Sequence, residues 1–133
     1  MTITLVTTSF MALLLLALSY RVSKVRLATR TSIGDGGHAD LQRANRVQGN
    51  FTEYVPLALI LIGLLEYSRV SVYLVVGLAA LLVVGRVLHA IGLSMNTDSN
   101  PFRFLGTLFT WLVLLIGALV GLLAGYGLAP ITG

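Results

Sequence analysis

The chain of 133 residues contains no cysteine. That absence excludes disulfides, protein-thiol catalysis and cysteine-ligated metals, so any thiol chemistry must arrive with a ligand. There are two histidines, His38 and His89, and without cysteine they do not make up an ordinary zinc set; no metal is expected. Charge is also scarce, at 11% of residues, where a soluble domain carries about 25%. No basic residue precedes the first apolar run, Ile3 to Tyr20, whereas Arg21, Lys24, Arg26 and Arg30 follow it. A cleaved secretory signal has the reverse order, so the run reads as a retained helix with its N-terminus outside. The stretch Gly34-Asp35-Gly36-Gly37 lacks the Lys-Ser/Thr ending and the flanking strand of a phosphate loop. It reads as a turn, the ordinary use of glycine.

What the chain has in quantity is apolar sequence, 56% of residues. About 20 apolar residues span a bilayer as a helix, and four such stretches fit, leaving no room for a soluble domain. The spacing predicts helices from about Thr4 to Arg26, Ala39 to Tyr67, Val72 to Leu93 and Phe102 to Gly127, with Asp40 suiting the start of the second. The loop Asn96-Thr97-Asp98-Ser99-Asn100-Pro101 has strong turn chemistry, and Pro130 lies beyond the last helix. Residues 1–133 thus form a single membrane domain, all-α, a four-helix transmembrane bundle. Short loops make neighbours antiparallel, up-down-up-down. The net charge of +4 sits beside hydrophobic segments, which points to membrane orientation rather than nucleic acid. Arg21, Lys24, Arg26, Arg30, Arg43 and Arg46 lie on the helix 1–2 side, joined by Arg86 and Arg103, against Arg69 and Glu66 at the other end. Both termini should therefore face away from the cytoplasm. Gly117, Gly121 and Gly125, four apart, suit close helix approach within the chain or between subunits.

The second helix is anomalous. At roughly 100° per residue, Arg43, Arg46, Asn50, Glu53 and Tyr54 fall within an arc of about 100°. At about 1.5 Å per residue, Glu53 lies roughly 20 Å along the helix from Asp40, at hydrocarbon depth. A lone carboxylate there is costly, and a short Glu cannot snorkel out as Arg43 can. Either Glu53 pairs with an arginine to hold the bundle, or the face binds a polar ligand with both signs of charge. Buried ion pairs are poor stabilisers compared with apolar packing, which favours the ligand. Arginines would then clamp carboxylates, Glu53 would take an ammonium group, and Asn50 and Tyr54 would direct hydrogen bonds. Pro56 removes a backbone donor and should loosen the helix near Thr52. Arg86 and His89, three apart on helix 3, share a face. Rise counting brings Arg86 level with Arg46 and Asn50, as a partner for Glu53 or the ligand. His89 is open to three roles: ligand contact, acid/base, or a satisfied interface histidine, the last slightly favoured.

The pattern Arg43-x-x-Arg46-x-Gln48-x-Asn50-x-x-Glu53-Tyr54-x-Pro56 resembles the signature of the MAPEG family, the membrane-associated proteins in eicosanoid and glutathione metabolism. The turn before helix 2 resembles that of the bacterial branch. The resemblance implies a homotrimer in a bacterial inner membrane, with glutathione as co-substrate bound between subunits near the cytoplasmic face. Arg46, Gln48, Asn50, Glu53 and Tyr54 match glutathione-binding positions, and Gln48, off the polar arc, suits a site shared between subunits. Arg26 or Arg30 is similar to an arginine that holds a glutathione carboxylate. Arg103 is similar to the arginine that stabilises the thiolate. His89 and Leu93 stand where the leukotriene-forming members carry tyrosines, which argues against animal lipid substrates.

The resulting expectation is a glutathione transferase, with peroxidase as a second activity, acting on an apolar electrophile that arrives among the membrane lipids. Its rivals are a non-catalytic member binding a lipid or glutathione conjugate, and a small proton-coupled exporter. An exporter needs a carboxylate that exchanges its proton and substrate; Glu53 sits instead among several arginines.

Overall fold

The computed structural model describes residues 1–95 and 100–128. They form four helices: α1 (Thr2–Thr29), α2 (Ala39–Tyr67), α3 (Val72–Ser94) and α4 (Pro101–Gly125). All four are long and apolar enough to cross a membrane. The shortest, α3, has 23 residues and at the standard rise extends about 34 Å, against a hydrocarbon layer of about 30 Å.

The helix ends follow local chemistry. α1 runs to Thr29, past the expected stop near Arg26, because no glycine or proline interrupts the basic stretch. It closes at Arg30, in the left-handed region with φ 51°, whose N–H reaches back to the carbonyls of Arg26 and Leu27. α4 begins at Pro101, whose missing N–H costs nothing in a first turn, and the Asn100 side chain accepts from Phe102 N at 2.8 Å. It ends at Gly125, two residues short of expectation, where Gly127 turns the chain with φ 71°. α2 runs unbroken through Pro56. Residues 96–99 of the anticipated loop, and Pro130, lie outside the described residues.

α2 is the central element and touches the other three helices; α1 and α4 do not touch among the described residues. The reason is a buried stripe in steps of three or four residues: Leu41, Ala44, Val47, Phe51, Val55, Ala58, Ile62 and Leu65. Only one face of a helix has that period. Met11 and Leu18 of α1 pack against its first half, and Val75, Leu78 and Leu82 of α3 with Val113 of α4 against its second.

The closest approach is between α3 and α4, and glycine makes it possible. A Cβ on Gly106 would lie 2.5 Å from His89 N and 2.6 Å from Gly85 O, and one on Gly92 would run into the Arg103 backbone. These two helices therefore meet backbone to backbone, as small residues permit in membranes. The glycine series noticed in the sequence is looser: a Cβ on Gly117 would meet Leu61 at an ordinary 3.6 Å, and one on Gly125 nothing.

At the opposite end of the bundle, Glu66 closes α1. Its carboxylate accepts from Ile3 N at 3.0 Å, Thr4 N at 2.8 Å and Thr4 Oγ1 at 2.5 Å. It thereby satisfies first-turn donors that the helix itself leaves unpaired. Losing a cap costs about 0.5–2 kcal/mol, and these bonds are charge-assisted. Glu66→Ala is therefore expected to destabilise the protein by about 2 kcal/mol, as read from thermal unfolding in detergent, without altering the far end of the bundle.

Candidate functional site

The site lies at the end where α1 and α3 finish and α2 and α4 begin. Its approach is the α1–α2 connection. Asp35 Oδ1 accepts from Gly37 N at 3.0 Å, and Gly36 and Gly37 take φ of 57° and 78°, values that suit glycine because it lacks a Cβ. The turn is tied down by Arg26, which donates to the carbonyls of Thr31 (3.5 Å), Ser32 (3.2 Å) and Gly34 (3.0 Å) and to Asn45 Oδ1 (3.2 Å). Arg26 thus anchors the loop to α2, and Arg30 is exposed at the α1 cap.

Beyond the loop, a cavity of about 270 Å³ is lined by Ala39, Gln42, Arg43, Arg46, Asn50, His89, Leu93 and Arg103. Three of those residues are guanidinium-bearing and none is a carboxylate. α2 supplies Arg43, Arg46 and Asn50 from successive turns of one face. The glycine seam supplies the rest: Gly106 lies against His89, and Gly92 against Arg103. Arg103 is exposed in the first turn of α4, where the helix dipole already favours negative charge. A guanidinium added there reinforces the positive field, which suits an anion and serves no evident stabilising purpose.

The other expected residues have different placements. Glu53 is on the outward side of α2, its side chain 51% exposed, and Glu53 Oε1 lies 3.5 Å from Arg46 Nη1. It is outside the cavity wall of this chain, as is the half-buried Tyr54. Gln48 faces α1 and donates to Ser19 Oγ at 2.7 Å. Arg86, expected beside Glu53 or the ligand, is 1% exposed. It turns inward to donate to Asn50 Oδ1 at 2.9 Å and to Thr110 Oγ1 at 3.5 Å, with its charge 5.6 Å from the centre of the Phe51 ring. Its Nη2 also lies 3.4 Å from His89 Nδ1. Arg86 therefore stands behind the cavity. Among the described residues no carboxylate pairs with it, and its Nε has no partner.

Sequence reasoning missed Asn45, Thr110 and the Gly85–Gly92–Gly106 seam. The sequence carries a signal for the last two: Gly106 and Thr110 are four apart in a mostly apolar helix, the spacing of close packing in membranes. Asn45 had none, because its role depends on where the loop folds back.

The comparisons agree with this architecture. The model of the MAPEG family matches residues 4–123. The chain is similar to the inner membrane protein YecN of Escherichia coli strain K12, 34% identical over 111 residues covering 84% of this chain and 83% of that protein. The same figures hold for YecN of Escherichia coli O6:H1 strain CFT073. No solved structure matches.

Proposed function

Since the chain belongs to the MAPEG family, we propose that it binds glutathione in this cavity and conjugates it to apolar electrophiles from the bilayer. One observation carries the reading: the cavity wall holds Arg43, Arg46 and Arg103 with Asn50 and His89 and no carboxylate. Glutathione is a net anion with two carboxylates and a thiol. Arg43 and Arg46 clamp carboxylates through charge-assisted hydrogen bonds. Arg103 favours the thiolate by adjacent positive charge and so makes the sulfur nucleophilic near neutral pH. The thiol proton leaves to water, the sulfur attacks the electrophile, and the new carbon–sulfur bond displaces its leaving group. With a hydroperoxide instead, two glutathione molecules give their disulfide, an alcohol and water.

At 270 Å³ the cavity falls just below the usual range of about 300–1,000 Å³ for ligand sites. The peptide therefore extends past the rim onto the outer face of α2, where Glu53 meets its ammonium group. Arg46 and Glu53, side chains 62% and 51% exposed, lie at a depth where lipid does not accept charge. A neighbouring copy covers them, and the assembly is a homotrimer with the site between subunits. Basic residues crowd the cavity end, which supports an orientation with that end in the cytoplasm and both termini opposite. The membrane is the inner one, as for YecN.

The test is ultraviolet thiolate absorbance on adding glutathione to purified protein in detergent. Wild type is expected to show it. Arg46→Ala should weaken binding by roughly tenfold or more, given about 1.5–3 kcal/mol for a hydrogen bond to a charged group. Absence of binding in wild type would sink the reading. Thiolate without turnover on any electrophile would leave a binding protein in place of a transferase.

A further inference from the structure

Arg86 lies behind the cavity wall, yet it touches two residues of that wall. A guanidinium has five N–H donors and no acceptor, so every atom facing it must offer a lone pair. Its Nη2 lies 2.9 Å from Asn50 Oδ1 and 3.4 Å from His89 Nδ1. Asn50 must therefore turn its carbonyl oxygen to Arg86 and its amide hydrogens away. His89 must present a bare Nδ1, which leaves its ring proton on Nε2, at the edge remote from Arg86. The third contact follows the same rule: Thr110 Oγ1 spends its hydrogen on the Gly106 carbonyl at 2.8 Å and can only accept from Arg86. Each of the three contacts of Arg86 thus runs outward from one buried cation.

We propose that Arg86 is a positioning residue that sets Asn50 and His89 as hydrogen-bond donors toward the cavity, so that the cavity floor accepts only a proton-free anionic group. Both residues line the cavity, and with Arg43, Arg46 and Arg103 they leave a wall whose charged groups are all donors. A carboxylate or thiolate fits such a floor. Set against Asn50 and His89, an alcohol or a protonated acid would bring a hydrogen that neither residue can accept, so it would have to turn that hydrogen away, toward the Gln42 amide or water, or leave it unsatisfied. Arg86 does this without touching the ligand. Strength alone does not explain it, because an apolar residue of similar length commonly stabilises a buried position as well as or better than an ion does. The identity of the anionic group rests on the glutathione reading; the donor orientation does not.

The test reads the His89 ring directly. In protein labelled with heavy nitrogen in histidine, and carrying His38→Asn so that a single ring remains, nitrogen resonance is expected to show a bare Nδ1 and a protonated Nε2. In Arg86→Met, checked for helix content and particle size, that pattern should relax toward a mixture or a doubly protonated ring, and Arg86→Lys should restore it. Glutathione affinity should fall about tenfold in Arg86→Met, the equivalent of one misdirected hydrogen bond, and recover in part in Arg86→Lys. A wild-type ring protonated on Nδ1 overturns the proposal, as does a pattern unchanged in a folded Arg86→Met. If Arg86→Met does not fold, the wild-type ring still decides. If wild type binds no glutathione, the functional reading fails, while the ring spectrum still tests the role of Arg86.

Discussion

Arg103→Ala is expected to remove thiolate formation and to lower the rate of conjugation by about 100- to 1,000-fold, the usual loss when one oriented group that stabilises developing negative charge is deleted. The side chain is exposed in the first turn of α4, so its removal should not disturb the bundle. The effect should therefore fall on chemistry and leave unfolding temperature in place. The sign with pH is fixed. A cation beside a thiol favours the ionised form, so the thiolate of bound glutathione should persist to lower pH than that of a free thiol, whose midpoint is about 8.5. In Arg103→Ala the midpoint should rise back toward that value, and activity lost at neutral pH should return in part on the alkaline side. Arg103→Lys keeps the charge and loses the planar fork, so it should fall between the two. An Arg103→Ala protein that ionises glutathione as readily as wild type would remove Arg103 from the mechanism and leave the cavity arginines of α2 to account for it.

The second large effect concerns Gly106→Ala. Alanine is the better helix former by about 1 kcal/mol, so by local propensity alone the change should stabilise α4. The packing reverses the sign. The added methyl would stand 2.5 Å from His89 N and 2.6 Å from both Gly85 O and His89 Cβ. Two of those atoms are backbone and cannot rotate aside. α3 and α4 must separate, and overpacking of this kind costs about 1–3 kcal/mol. A net destabilisation of about 2 kcal/mol is expected in a detergent melt. The same separation carries His89 and Arg103 away from Arg46 and Asn50, so glutathione affinity should fall with stability. Gly125→Ala is the control, because a Cβ there meets nothing within 4 Å. It should be neutral or slightly stabilising.

By its place along α2, Glu53 calls for a charged partner. Within one chain its partner is Arg46, not Arg86. The pair sits on the outside of the bundle, not in a cavity of the same chain. Helical periodicity placed Arg46, Asn50 and Glu53 on one arc, but an arc has width. A small rotation of α2 decides that Asn50 turns in toward Arg86 while Glu53 turns out. That rotation is set by Phe51 and Val55, buried on either side of Glu53 in the sequence, and by what they pack against. The same limit applies to Arg26. The family resemblance gives Arg26 or Arg30 as a carboxylate clamp; the fold returns the glycine turn across Arg26, and its donors go to three loop carbonyls and Asn45. No property of residue 26 alone reveals where the following residues fold back.

What the sequence determined by itself are the properties that hydropathy and helical period contain locally. These are four membrane-length helices, an antiparallel order imposed by short connections, a crowded basic end, and a second helix with a polar face. The absence of cysteine was equally decisive, because it moved any thiol chemistry onto a ligand. Which polar groups meet was left to the tertiary structure. Arg103 and His89 come to the same cavity as Arg46 because glycines at 85, 92 and 106 let α3 and α4 touch backbone to backbone. Arg86 was drawn behind the wall for the same reason, since that close contact brings Thr110 within its reach. Helix formation depends on neighbours along the chain. Register and rotation between helices depend on side-chain volumes at contacts distant in sequence, and those decided the donors that the cavity presents.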